Sequence, residues 1–408
     1  MTDQTHSHPP ASGDLSRRRL LKQASLLVAA GLAPTAAMAR AAAALNPAPY
    51  PATPALPGAR LTERVVLVIF GGGVRSKETL GSGNTPNLDR IAASGATMPR
   101  TVVQNLGHYG AASSILTGTW DTFGIRENGR SESPTLFEII RREQGLPASE
   151  VWLSTSGGDQ ETNYAYSTAS GYGAAFGANL IGGEGIFNAE FKELVVGQGG
   201  LRSHDASAEK TLSILRGAME TPLPIDGQEG LGNDPAAAAR IEQYILEELR
   251  GDAATITGLG ANDAKAMHVA RNLLAIFRPR LLTVTLRAPD VAHGSYNDYV
   301  TTIRRNDEEL GSLFDAITSD PGLSESTALF VLPEFGRNRD FNARRGLDHG
   351  DQSTELLNVN TVAWGPDFKS GVVDTSAVRS IDVAPTIVSL FGGRMGGRTG
   401  SPMKGLFA

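Results

Sequence analysis

Apolar residues occur along the chain in short, β-branched runs that alternate with amphipathic segments. The run RVVLVIF at residues 64–70 is continuous and leads directly into GGGVR, which is typical of a strand buried on both faces. Similar runs are EVWLST at 150–155, LLTVTL at 281–286 and TALFVL at 327–332. Segments between them, such as TPNLDRIAASG at 85–95, begin with proline and end with glycine, as helices do.

This alternation predicts an α/β fold, in which a large mixed, mainly parallel sheet is covered by helices on both faces as a three-layer α/β/α sandwich. The pattern weakens between about residues 156 and 260, where glycine-rich stretches such as SGYGAAFGANLIGGEG occur. We interpret this region as a cap inserted into the sheet domain. In parallel sheets ligands bind beyond the carboxyl ends of the strands, so polar residues at those ends are candidate site residues.

The amino terminus has the three parts of an export signal. SRRRLLK at residues 16–22 supplies paired arginines, a weakly apolar stretch follows, and Ala37-Met38-Ala39 matches a small-x-small cleavage site. The apolar stretch is too short for a membrane span, which needs about 20 residues. We predict a twin-arginine signal at residues 1–39, an Ala/Pro-rich linker at 40–61 and one domain at 62–408.

The predicted signal implies a periplasmic or secreted protein that uses the twin-arginine translocase during export and keeps no permanent membrane anchor. The whole chain carries a formal charge of −6 and the predicted signal carries +2, which leaves about −8 on the exported chain. A nucleic-acid-binding protein would need a basic face, so we exclude nucleic acid as a partner.

The chemistry of a candidate site is limited by the absence of cysteine, which excludes disulfides, thiolate metal sites and cysteine nucleophiles. Histidine, aspartate and glutamate remain as ligands for a divalent metal, zinc above all, with manganese and calcium as alternatives. Acids and imidazoles follow predicted strands or lie beside glycines at His108, Asp290, His293, Glu334, Asp348 and His349. Each alone would more often be a turn residue, but together they suit an open metal site.

Several motifs, taken in this order, resemble the alkaline phosphatase superfamily, which includes phosphatases, nucleotide pyrophosphatases, sulfatases and cofactor-independent phosphoglycerate mutase. They are VVLVIFGGGVR, TPNLDRIAASGATM, SSILTG, PDVAHGSYNDY, and DHG followed by SIDVAPTIVSLFG. PEFGRNRDFNARRGLDHG is similar to a branch of twin-arginine-exported relatives with an E-F-G-R…G-x-D-H signature. The resemblance implies a divalent-metal-dependent hydrolase of phosphate or sulfate esters, acting on a small anionic ester or an envelope component.

Single residues take their expected roles from this resemblance. Asp290, His293 and His349 match the ligands of the family's first metal. Glu334 and Asp348 are the next candidates for metal ligands. Arg75 and Arg337 follow strand ends, and we expect them to bind the anionic group of the substrate, since guanidinium groups bind phosphate and sulfate through paired hydrogen bonds.

The sequence also departs from the family pattern in three motifs. Gly72 replaces the aspartate that binds the second metal, and Glu334-Phe335 replaces an Asp-His pair. His108 stands nine residues before the threonine of LTG, where the family has its Ser, Thr or Cys nucleophile. A covalent intermediate through a hydroxyl is therefore excluded there, and His108 is expected to be a catalytic imidazole nucleophile or a metal ligand.

Two non-enzymatic interpretations remain open. The first is a pseudoenzyme of the same fold that binds a metal or an anion without turnover. The second is a sugar- or envelope-binding module, which would need exposed aromatic residues. Aromatic residues are only 6% of the chain, and the clustered candidates are Tyr164, Tyr166 and Tyr172.

Overall fold

The computed structural model describes most of the predicted domain. The described residues are 60–120, 128–157, 159–187, 191, 235–250, 255–396 and 400–408. The predicted signal, nearly all of the linker and much of the predicted cap lie outside them. Among the described helices, none is both long enough and apolar enough to cross a membrane.

Nine strands of the described residues form a single sheet. They are β1 Arg64–Phe70, β2 Ala96–Val102, β3 Val151–Thr155, β4 Asn179–Gly182, β5 Leu281–Thr285, β6 Thr327–Pro333, β7 Asn358–Trp364, β8 Val372–Val373 and β9 Val378–Arg379. The strand order is β4-β3-β5-β1-β6-β7-β2-β8, with β9 also paired to β2. Only β7 runs antiparallel to its neighbours β6 and β2, which confirms the predicted mixed, mainly parallel sheet.

Helices cover both faces of this sheet. They are α1 Pro86–Ser94, α2 His108–Thr117, α3 Leu136–Gln144, α4 Pro235–Arg250, α5 Ala261–Phe277, α6 Tyr296–Ser319, α7 Pro321–Ser324, α8 Thr354–Leu357 and α9 Val383–Leu390. One hydrophobic core lies between the sheet and helices α1, α4, α5 and α6, and a second lies between the sheet and helices α2, α3 and α9.

Strand β1 shows why its sequence is apolar without interruption. Val66 and Val68 contribute to the first core, while Val65 and Leu67 contribute to the second. Because successive side chains of a strand point to opposite faces, a central strand between two helical layers needs apolar residues at every position.

Part of the predicted cap belongs to the main sheet. Strand β4 pairs in parallel with β3 and forms one edge of the sheet. Helix α4 packs against α5, and the ring of Tyr244 lies 6.4 Å from that of Phe277. The boundaries of the cap remain a prediction, because residues 192–234 lie outside the described part of the chain.

The register of the three central strands determines where a site can form. Ile69 of β1 lies opposite Thr285 of β5, and Phe70 lies opposite Pro333 of β6. The three parallel strands therefore end at the same level. The loops that follow them, each carrying residues singled out in the sequence, leave the sheet side by side.

Candidate metal centre

Four side chains from three segments of the chain meet at this edge of the sheet. His108 is the first residue of α2, Asp290 and His293 lie in the 3₁₀ helix Ala288–His293 after β5, and His349 lies in the loop after β6. One ligand atom from each lies within 4.8 Å of those of the other three. Ligand atoms of a tetrahedral ion with bonds of about 2.0–2.2 Å lie about 3.5 Å apart, so the cluster would contract slightly around such an ion.

Two of the histidines are held from behind by carboxylates. His108 Nδ1 lies 2.6 Å from Glu334 Oε1, and His293 Nδ1 lies 2.7 Å from Asp348 Oδ1. Metal-binding histidines in proteins usually donate their outer N–H to such an oxygen, which fixes the tautomer and turns the other nitrogen towards the ion. Both rings are arranged in this way, with Nε2 on the side of Asp290.

The third imidazole, His349, lies against the ring of Phe335, with the two centroids 5.1 Å apart. Its ring centroid lies 4.9 Å from that of His108 and 5.0 Å from that of His293. Burial, helped by the charge of Arg337 and by the neighbouring imidazoles, lowers the pKa of His349 to about 4. The ring is therefore neutral at neutral pH and has a lone pair available for a metal.

His108 provides the test of whether a metal fits. Its Nε2 atom is buried and makes no hydrogen bond, although Asp290 Oδ1 is only 2.9 Å away. Burial lowers the pKa of His108, but Asp290 and Glu334 outweigh burial and raise it to about 9. A buried nitrogen that lies close to a carboxylate oxygen without a hydrogen bond needs an explanation, and an ion shared by the two atoms supplies one.

The structure separates the predicted ligands into two groups. Asp290, His293 and His349 belong to the cluster, together with His108. Glu334 and Asp348 lie behind histidines, so their contacts favour an orienting role over direct ligation. His108 has Glu334 at one ring nitrogen and Asp290 at the other, which favours a ligand over a nucleophile. These roles remain predictions.

A second metal ion, as the family resemblance implies, does not fit the residues at Gly72. The backbone there has φ +78°, and an added Cβ would lie 2.5 Å from the Asp290 nitrogen and 2.6 Å from the Arg287 carbonyl oxygen. The chain therefore has no room for the aspartate of the family pattern. Phe335, at the position of the family's histidine, is fully buried and offers no ligand atom.

Arg337 fills the space beside these residues. Its Nη1 donates to the Leu347 carbonyl at 3.0 Å, its Nε to that of Gly73 at 3.3 Å, and its Nη2 to Asp290 Oδ1 at 2.6 Å and to the Gly72 carbonyl. The side chain is 0% exposed. Its donors hold Asp290 and the surrounding loops, and the predicted binding of a substrate anion is not supported by any exposed part of the guanidinium.

Arg75 is similarly enclosed. Its Nε and Nη2 donate to the two carboxylate oxygens of Glu78 at 2.7 and 2.5 Å, and its Nη1 donates to the carbonyls of Asn338 and Arg339. The side chain is 2% exposed. Arg75 thus ties the loop after β1 to the loop after β6, and its contact with substrate stays a prediction.

The aromatic cluster of the sugar-binding interpretation does not form an exposed platform. Tyr164 is buried and stacks on Tyr109 with centroids 4.7 Å apart. Tyr166 is covered by a guanidinium 3.4 Å from its centroid, and Tyr172 by another at 4.7 Å.

Two further residues beside the cluster are absent from the sequence predictions. Glu161 and Arg287 line a cavity of about 30 Å³ that also borders His108 and Glu334. Burial raises the pKa of Glu161 to about 7. Arg287 follows strand LLTVTL directly, so its position at a strand end could have identified it, whereas Glu161 lies in the glycine-rich region where the sequence pattern is weak.

No family model and no curated protein matches the chain. A mutant of alkaline phosphatase PafA with four substitutions is similar in structure, with a TM-score of 0.56 and 10% identity over 86% of this chain and 100% of that chain. Wild-type PafA gives a TM-score of 0.53, with the same identity and coverage. The chain has the alkaline phosphatase fold.

A more distant likeness is to the phosphonate monoester hydrolase SpPMH from Silicibacter pomeroyi, with a TM-score of 0.47 and 13% identity over 84% of this chain and 76% of that chain. The PafA structures confirm the predicted fold. At 10% identity they show the fold alone, and the narrower E-F-G-R…G-x-D-H grouping remains a prediction.

Restoring the family's aspartate should damage this protein. We expect Gly72→Asp to lower the free energy of unfolding by more than about 3 kcal/mol, because the side chain meets backbone atoms and the φ is positive. Gly83 has φ +79° and nothing within 4 Å of an added Cβ, so Gly83→Asp isolates the effect of the positive φ and should cost about 1 kcal/mol. Chemical denaturation measures both. Equal losses would contradict this account of Gly72.

The histidines should titrate far apart in chelator-treated protein. We expect the ring signals of His108 to titrate near pH 9 and those of His349 near pH 4 in an NMR titration. Because the folded pKa of His108 is raised, its protonation stabilises the fold fully below about pH 6.5, and this contribution is lost as the pH rises through 9. His108→Gln should remove that part of the pH dependence. A pKa near 6.5 for both rings would contradict the geometry described.

Proposed function

We propose that this protein is a divalent-metal-dependent hydrolase of phosphate or sulfate esters, with one metal ion held by three histidines and an aspartate. The proposed ligands are His108, Asp290, His293 and His349. The observation that carries the proposal is the cluster itself, in which the buried Nε2 of His108 lies 2.9 Å from Asp290 Oδ1 without forming a hydrogen bond to it. Three imidazoles and one carboxylate suit zinc, whereas calcium prefers six to eight oxygen ligands.

The surrounding residues prepare the cluster for such an ion. Burial raises the pKa of Asp290, but His108 and Arg337 lower it well below its usual range, so the group is a carboxylate at neutral pH. Glu334 and Asp348 orient His108 and His293. The chemistry that a divalent ion supplies at such a site is Lewis acidity towards an ester oxygen and acidification of water.

Water is the proposed attacking group, because the nearby serines of α2 are buried and the hydroxyl of Ser114 is already hydrogen-bonded. Ser114 donates its hydroxyl to the Gly110 carbonyl at 2.7 Å and accepts from Asn105 at 2.6 Å. Ser113 is also buried. The water oxygen forms a bond to phosphorus or sulfur, the ester bond breaks, and the leaving oxygen departs with a proton as the alcohol.

A non-catalytic binding protein of the same fold is the second candidate. It is favoured by the glycine at position 72 and the imidazole at position 108, where the family resemblance implies a metal-binding aspartate and a nucleophile. A one-metal site could retain an anion on the ion itself without hydrolysing it.

We further propose that the protein acts in the periplasm or outside the cell after export by the twin-arginine translocase. The ordered signal parts at residues 1–39 support this. Its substrate would be a small anionic ester or an envelope component, and the net negative charge argues against nucleic acid.

Export should depend on the paired arginines. We expect the Arg17→Lys/Arg18→Lys variant to accumulate as the uncleaved precursor inside the cell, while the wild-type protein is cleaved and recovered outside the cytoplasm. Cell fractionation with mass spectrometry of the amino terminus measures this. Export of both proteins to the same extent would contradict a twin-arginine signal.

Metal content and hydrolysis should disappear together. By elemental mass spectrometry we expect one zinc ion per wild-type chain, none in His293→Ala or His349→Ala, and an affinity reduced about 10–100-fold in Glu334→Gln. His268, which lies on α5 and faces Glu248, provides the control variant His268→Gln, which should keep its ion.

The same proteins should then be assayed on phosphate monoesters, phosphate diesters and sulfate esters. Turnover by the wild-type protein and His268→Gln, but not by the cluster variants, is the expected result. A bound ion without turnover on any of these esters would contradict the hydrolase and support the non-catalytic binding protein. An ion retained by His349→Ala would contradict the proposed ligands.

A further inference from the structure

Arg287 differs from the arginines that the sequence predicts as anion ligands. Its guanidinium makes no hydrogen bond to any described residue, and its nearest carboxylate oxygen, Glu161 Oε1, lies 3.7 Å from its Nε. The side chain is 46% exposed, whereas those of Arg75 and Arg337 are almost fully enclosed. Arg287 is therefore a cation at the edge of the site whose guanidinium makes only this long ion pair.

The backbone of Arg287 is nevertheless fixed. Its N–H donates to Asp263 Oδ1 at 2.8 Å, and the N–H of Ala288 donates to Asp263 Oδ2 at 2.9 Å. Asn306 also donates to Oδ2, at 2.7 Å, and the Asp263 side chain is buried. Because the backbone of Arg287 is already ordered, binding of an anion would cost only the conformational freedom of its side chain.

Two spaces meet at Arg287. On one side is the cavity of about 30 Å³, which reaches His108. On the other is an open cleft of about 740 Å³, which reaches Asp290 and is also lined by the glycine loop at residues 258–260. Arg287 lines both, so it borders two members of the candidate metal cluster.

The charges around Arg287 show why a cation is needed there. Glu161 and Glu334 line the cavity, and Glu184, Asp263 and Asp290 line the cleft. An anionic ester that approached the cluster from the cleft would meet three carboxyl groups, and like charges in a partly desolvated site repel strongly. Arg287 is the only basic residue among the described residues that line the cleft.

From this placement we infer that Arg287 binds the phosphoryl or sulfuryl oxygens of the substrate beside the metal cluster, and that the cleft receives the leaving group of the ester. This inference rests on the proposed function and names a substrate-binding residue for it. Guanidinium groups donate two parallel hydrogen bonds to such oxygens, and the carboxyl ends of parallel strands are where ligands bind.

Binding of inorganic phosphate and sulfate tests the inference without requiring turnover. Titration calorimetry on zinc-treated protein should give an affinity for phosphate that falls at least tenfold in Arg287→Gln and less in Arg287→Lys. The control is Arg90→Gln, because Arg90 lies on α1 with the same 46% exposure and pairs with Asp315. It should bind phosphate like the wild-type protein.

Ester kinetics separate this inference from the proposed function. If turnover occurs, Arg287→Gln should raise KM at least tenfold while zinc content and melting temperature stay at the wild-type values. Wild-type affinity for phosphate and wild-type KM in a zinc-loaded Arg287→Gln variant would overturn the inference and leave the hydrolase intact. Failure of the wild-type protein to bind either anion would also overturn it. If the wild-type protein bound no zinc, the proposed function would be overturned. A phosphate affinity of that protein that still fell in Arg287→Gln would nevertheless support the anion site.

Discussion

The site depends on the parallel register of strands β5, β1 and β6. Because Phe70 lies opposite Pro333 and Ile69 opposite Thr285, the loops after these strands start at the same level and pack against each other. The packing is so close that an added Cβ at Gly72 would touch the backbone of the loop after β5. The same contact that brings Asp290 and His293 into place therefore excludes an acidic side chain from position 72.

The charges at this edge compensate one another. Asp290 faces both Arg337 and His108. Glu334 Oε1 accepts a hydrogen bond from the Gly72 N–H at 2.7 Å and lies 2.6 Å from His108 Nδ1. Buried charged groups are costly unless they are paired or bind an ion. Arg337 supplies a permanent positive charge where the family resemblance implies a second metal, and one ion at the cluster would satisfy the remaining buried nitrogen of His108.

The sequence was informative about the fold because the relevant signals are local. Continuous apolar runs identified β1, β5 and β6, and strand-end positions identified Asp290 and His293. Strand β4 falls within the predicted cap, because glycines surround it and its four residues are too few for a clear period. Its place in the sheet comes from pairing with β3, which is a tertiary contact.

The roles of the single residues within the site could not be predicted from the sequence, because they also depend on tertiary contacts. Whether a carboxylate binds a metal or orients a histidine depends on the direction of its side chain, and Glu334 and Asp348 both turn towards ring nitrogens. Arg75, Arg337 and Arg287 all follow strand ends. Only the surrounding carbonyls and carboxylates distinguish the two enclosed arginines from the exposed one.

X-ray absorption spectroscopy of the zinc-loaded protein tests the central claim most directly. The account predicts a shell of three imidazole nitrogens and at least one oxygen at about 2.0–2.2 Å, with one imidazole fewer in His108→Ala. A shell with fewer than three imidazoles in the wild-type protein, or one that is unchanged in His108→Ala, would contradict it.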